Sequence, residues 1–155
     1  MQKLIVALLL LPISSTFAQT KHPKTKEEIV AVCNKFMDAF KAGDYGLAFG
    51  TIKPYTVIEP YKLDTITGRV RTQMATAIRT YGKVNSYEEV AEKQIKGSVL
   101  RLVYLLKFDK FFLKVVFILY NNGSGWSITS FDYSENVDEL FISSLEGRSR
   151  FQNLG

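Results

Sequence analysis

The spacing of apolar residues changes twice along this chain, and each change marks a different kind of structure. The first stretch is an uninterrupted apolar run from Leu4 to Leu11, preceded by Lys3 and broken at Pro12. Between Thr25 and Gly82 apolar residues recur every three or four positions, the period of a helix with one buried face. From Lys83 onward the period falls to two, that of strands with one buried face.

In the helical half, Thr25-Lys26-Glu27-Glu28 has the form of a capping box. It predicts a first helix from about Lys26 to Ala42, with Ile29, Val32, Cys33, Phe36, Met37 and Phe40 on its apolar face. Gly43 supplies the left-handed stop. Asp44 caps a shorter second helix carrying Tyr45, Leu47, Ala48 and Phe49, which ends before Pro54. Pro54-Tyr55 to Pro60-Tyr61 reads as a loop, because each proline disfavours helix in the residue before it. A third helix is expected from Asp64, with Ile66, Val70, Met74, Ala77, Ile78 and Tyr81 at helical spacing and Gly82 closing it.

In the strand half, Lys96-Gly97-Ser98, Asp109-Lys110 and Asn121 to Gly125 separate four strands, and connections this short require antiparallel neighbours. The fold class is therefore α+β, with N-terminal helices packed on a curved four-stranded antiparallel meander. A two-residue Asp109-Lys110 loop pairs Leu106 with Leu113, Tyr104 with Val115, Leu102 with Phe117 and Leu100 with Leu119 on the core side. Continued through a five-residue loop, the register sets Tyr120 against Trp126, Ile118 against Ile128 and Lys114 against Asp132 on the outside. Ser127, Thr129, Phe131 and Tyr133 then face the helices. Small polar groups on an apolar inner face predict a cavity there. The first strand, Asn85 to Ile95, is charged on both faces, as suits an exposed edge. A short helix with Val137, Leu140 and Phe141 is expected after Asn136.

The N-terminal order of positive residue, apolar run and small residues ending in Thr16-Phe17-Ala18 is that of a secretory signal peptide cut between Ala18 and Gln19. The apolar run is about half the roughly 20 residues that span a bilayer, so no stable membrane anchor is expected after cleavage. The expected organisation is a signal peptide at 1–18, a flexible lead-in at 19–24, one α+β domain at 25–146 and a polar tail at 147–155. Localisation is then exported, periplasmic or secreted. Removing Lys3 leaves 19 basic against 15 acidic residues. They are scattered, with no run denser than Arg148-Ser149-Arg150, which argues against nucleic acid.

Catalytic chemistry finds little to stand on. His22 is the only histidine and Cys33 the only cysteine, so neither a zinc site, a His-based triad nor a disulfide is available, and no cofactor is implied. Cys33 lies within an apolar stripe, where a thiol behaves as a small hydrophobe. Asp132, a carboxylate near the end of the last strand, is expected outside.

Lys41-Ala42-Gly43-Asp44-Tyr45, Tyr81-Gly82-Lys83 and Gly125-Trp126 each sit at a junction between elements. In these positions the chain, from Thr25 to Phe141, resembles the nuclear transport factor 2-like superfamily, the cone-shaped fold shared with ketosteroid isomerase and polyketide cyclases. More narrowly it is similar to small exported members from Gram-negative bacteria. The resemblance implies a pocket between helices and sheet. The isomerase branch would need a Tyr on the first helix and paired acids in the pocket; the inward positions here are Cys33, Phe36, Met37 and Phe40, so no catalytic residue carries over.

The expected function is binding of a small apolar ligand, or an accessory role, without catalysis. Tyr55, Tyr61, Tyr104, Ser127, Thr129 and Tyr133 are the candidate lining. The alternative is a His- and metal-independent enzyme acting on an apolar substrate through Tyr hydroxyls and a perturbed carboxylate. A third possibility comes from the outer face, where Val103, Leu105, Val116, Ile118, Tyr120, Trp126 and Ile128 predict an interface for a homodimer or a docked protein partner.

Overall fold

The computed structural model describes residues 22–138 together with 140 and 141; the expected signal peptide, its cleavage site and the polar tail lie outside them. Helix α1 (Lys26–Lys41) begins at the capping box, with the Thr25 hydroxyl accepting the Glu28 amide and the Glu28 carboxylate accepting the Thr25 amide. It stops before Gly43, whose φ is +80°. Helix α2 (Tyr45–Ile52) is capped by Asp44, whose Oδ1 accepts the Leu47 amide at 2.9 Å, and runs into a single 3-10 turn at Lys53–Tyr55.

Helix α3 (Pro60–Tyr81) starts earlier than the Asp64 expected from its apolar spacing. Pro60 occupies the first turn, where its missing N–H costs nothing and its fixed φ already suits the helix, so here proline opens the helix instead of preceding it. Tyr61 consequently sits on that first turn and not in a loop.

Strands β1 (Val84–Ile95), β2 (Val99–Phe108), β3 (Phe112–Asn121) and β4 (Trp126–Ser134) form one antiparallel sheet in the order β1-β2-β3-β4. The β2–β3 pairing is the one expected, with Leu106 opposite Leu113, Tyr104 opposite Val115, Leu102 opposite Phe117 and Leu100 opposite Leu119.

The β3–β4 pairing corrects the expected register. Asn121, not Tyr120, faces Trp126, and Leu119 faces Ile128. This one-residue slip exchanges the faces: Trp126 and Ile128 join the core, while Ser127 lies opposite the outward Tyr120. A bulge at Thr129 then restores the original phase, because Ile118 pairs with Ser130, Phe117 with Phe131 and Val115 with Tyr133. The Thr129 hydroxyl donates to the Ile118 carbonyl at 3.0 Å, giving the extra residue a partner. Asp132 is exposed and outward as expected, but its directly opposed residue is Val116, and Lys114 faces Ser134.

The helices pack on the inner face of β2, β3 and β4. At the centre, Phe36 makes an edge contact with Phe49 at 5.1 Å and with Phe117 at 5.2 Å, stacks on Phe40 at 5.3 Å and meets Phe131 at 5.1 Å. Each such pair adds to the burial of its ring area. These rings occupy the inner face beside β4, where the sequence predicts a cavity.

The lead-in is tied down over its described part. The Pro23 carbonyl accepts the Trp126 amide at 2.8 Å, and Lys24 Nζ donates to the Ser124 carbonyl at 2.7 Å. An edge strand leaves alternate amides without a sheet partner, and Pro23 supplies one here.

Candidate functional site

Open space between helices and sheet lies at the far end of α3, past the aromatic centre. It is a cleft of about 250 Å³ lined by Gln73, Met74 and Ala77 of α3, Leu113 of β3, and Tyr133, Ser134 and Glu135 at the end of β4. Gln73 and Ala77 are one turn apart on the same helix face, with Met74 beside them. Ala77 is the small residue in the row and leaves the gap.

Two tyrosine hydroxyls tie α3 to the end of β4 here. Tyr133 donates to Gln73 Oε1, and Tyr81 donates to Glu135 Oε1 at 2.9 Å. The Tyr81 hydroxyl is held above its ordinary pKa chiefly by the bond to Glu135, with burial adding to it. Burial raises Tyr133 in the same direction, the nearby Arg69 charge opposes it, and Asp132 reinforces it. Both phenols therefore stay protonated at neutral pH and act as hydrogen-bonding groups, not bases. Met74, Ala77 and Leu113 form an apolar floor beneath a rim of oxygen atoms. Such a site suits a small, mostly apolar molecule with one polar end.

Of the candidate lining residues, Tyr133 reaches this cleft and the others stand elsewhere. Tyr104 is fully buried, and its hydroxyl donates to Asn34 Oδ1 at 2.9 Å, linking β2 to α1. Ser127 is on the outer face, with its hydroxyl 3.4 Å from the Tyr120 carbonyl, and Thr129 is the bulge residue. Tyr61 is exposed on the first turn of α3. Tyr55 packs against the core and lines a larger hollow of about 490 Å³ shared with His22, Lys24, Glu28 and Lys35. That hollow lies between the N-terminal arm, α1 and the turn after α2, and none of its lining residues comes from the sheet. The cleft under α3 is the better candidate because its lining comes from both helix and sheet, Met74 and Ala77 on one side and Leu113 and Tyr133 on the other.

Gln73, Met74, Ala77, Leu113, Ser134 and Glu135 are not among the residues that the sequence singles out as lining. Met74 and Ala77 share the spacing of every core position on α3, and Glu135 follows the last strand, so no local pattern separates them from ordinary packing. No Asp or Glu among the described residues is buried, and no group of three or more His, Cys, Asp or Glu among them could hold a metal ion. No described helix is long and apolar enough to cross a membrane.

The candidate interface divides. Trp126 and Ile128 are core residues, Val103 and Val116 are buried on the outer face within the single chain, and Leu105 and Ile118 are half-buried. Tyr120 is 45 % exposed, and Ile95, joined to it through Val99 on the same face, is 60 % exposed.

No protein family matches this chain, and no curated protein matches it. Solved structures similar in chain path include the following two. One, described as a calcium/calmodulin-dependent protein kinase type II association domain from Thiobacillus denitrificans, has a TM-score of 0.49 at 12 % identity over 76 % of this chain and 99 % of that one. The other, described as an NTF2-like transpeptidase from Campylobacter jejuni, has a TM-score of 0.46 at 14 % identity over 68 % of this chain and 99 % of that one. Neither likeness bears on the chemistry of the cleft.

Proposed function

We propose that this chain is an exported small-ligand-binding or accessory domain that holds an apolar molecule in the cleft under α3 without transforming it. The cleft's pairing of an apolar floor, Met74, Ala77 and Leu113, with a rim carrying the protonated Tyr133 hydroxyl and one carboxylate, that of Glu135, carries this reading. Native mass spectrometry of the purified chain tests it: the expected result is a retained small molecule that is lost from a Met74→Trp variant, in which the larger ring fills the cleft. Turnover of any substrate that disappears in Tyr133→Phe would overturn it in favour of an enzyme.

Export rests on the Lys3, Leu4 to Leu11 and Thr16-Phe17-Ala18 order. The expected product in the periplasm or medium begins at Gln19, and retention of residues 1–18 there would refute cleavage.

We also propose a second copy or docked partner at the end of the outer face, carried by the exposed pair Ile95 and Tyr120 on one side of the sheet. Sedimentation at micromolar concentration should show a dimer that Tyr120→Glu dissociates. A monomer whose solubility this change leaves untouched would rule that surface out.

A further inference from the structure

The rim of the cleft has most of its hydrogen-bond donors already engaged. The Tyr133 proton goes to Gln73 Oε1 and the Tyr81 proton to Glu135 Oε1. The Ser134 hydroxyl lies 3.5 Å from the Asn136 carbonyl. Among the described residues, what the lining side chains leave unfilled is mostly acceptor capacity: the lone pairs of the Tyr133 and Ser134 oxygens and the second oxygen of Glu135. Among the described residues, the Gln73 amide nitrogen is the remaining side-chain donor of the lining. Glu135 carries the one acidic side chain among the lining residues. An alcohol offers a single donor to such a rim, a carboxylate offers none, and a protonated amine offers three together with the complementary charge.

From this inventory we infer that the ligand is a small primary amine with an apolar body, its ammonium on Glu135 and the Tyr133 oxygen and its hydrocarbon on Met74, Ala77 and Leu113. The inference rests on the reading of this cleft as the binding site and adds the chemical class of the ligand. A volume of about 250 Å³ equals roughly eight waters at the liquid share of about 30 Å³ each, which sets the size of molecule that fits. The opposing influence is Arg69, one turn before Gln73 on α3 and close enough to act on Tyr133. A site governed by Arg69 would choose an acid instead.

The test compares 2-phenylethylamine, 2-phenylethanol and phenylacetate by titration calorimetry against the whole chain at neutral pH. The amine is expected to bind about ten-fold tighter than the alcohol, as a charge-assisted bond exceeds a neutral one. Glu135→Gln should bring the two within about two-fold, because the amide keeps the shape and removes the charge. Equal binding of amine and alcohol, or tightest binding of phenylacetate, would overturn the amine assignment and leave the cleft standing as a site. Failure of all three to bind, or amine binding unchanged by both Met74→Trp and Ala77→Leu, would overturn the assignment and the cleft together. Two filling variants are included so that a folding defect in one, read from its thermal melt, does not decide the outcome.

Discussion

Gly82 and Asp109 approach so closely that a Cβ added at Gly82 would stand 2.4 Å from Asp109 Oδ2. Gly82 ends α3 with φ at +89°, and Asp109 lies in the β2–β3 turn. The Asp109 carboxylate accepts the Lys83 amide at 3.0 Å and the Asn85 side-chain amide at 2.9 Å, so one residue joins the end of α3, the start of β1 and the central hairpin. Gly82→Ala must meet both the positive φ and the clash. It should destabilise the chain by more than about 1 kcal/mol, read from the midpoint of urea unfolding with an unchanged slope.

Phe36 lies at the meeting point of four other rings and is fully buried. Phe36→Ala should cost about 3–5 kcal/mol through lost burial and an unfilled cavity. Tyr61→Ala, at an exposed ring, should stay within about 0.5 kcal/mol. Equal effects at the two sites would contradict the aromatic centre described above.

Stability should fall in alkali. Burial, with the bond to Asp38 second, pushes the Tyr87 hydroxyl from 10.0 up to about 12 in the folded chain. A group raised on folding contributes fully below its unfolded pKa, so this contribution is intact below pH 10 and is lost as pH rises toward about 12. The stability difference between wild type and Tyr87→Phe should therefore shrink across that interval. A difference that stays constant would show that Tyr87 titrates normally.

Cys33 is buried, and burial raises its thiol well above the ordinary range. Native chain at pH 8 should react with a disulfide reagent at least about 1,000-fold more slowly than chain in guanidinium, because labelling awaits opening of the α1 packing. Rapid native labelling would mean that α1 frays from the sheet.

Gly125 lies under the N-terminal arm: a Cβ there would stand 2.6 Å from His22 Cβ and 2.9 Å from the Pro23 carbonyl oxygen. Gly125→Ala should displace the arm and break the Pro23–Trp126 bond, making the chain before Thr25 the first site cut in limited proteolysis. Protection equal to wild type would show that the arm tolerates the added methyl.

Short-range physics made much of this protein legible from sequence. Thr25 with Glu28, Asp44 with Leu47 and the glycines at 43 and 82 bound helices through contacts a few residues apart, and the Asp109-Lys110 turn sets the β2–β3 register over its whole length. Tyr133 was placed inward by alternation, correctly, because a slipped loop and a compensating bulge at Thr129 cancel before it is reached. The slip puts Trp126, Ser127 and Ile128, which precede the bulge, on unexpected faces. Alternation has a period of two and cannot register one inserted residue; the partner strand decides where the insertion goes. The cleft is likewise a property of tertiary structure. Its lining comes from α3, β3 and the end of β4, far apart in the chain, and the gap exists because the rings of Phe36, Phe49, Phe117 and Phe131 fill the centre while Ala77 leaves the end open. Sequence sets which face of each element is apolar; only the assembled packing sets where that apolar surface fails to meet.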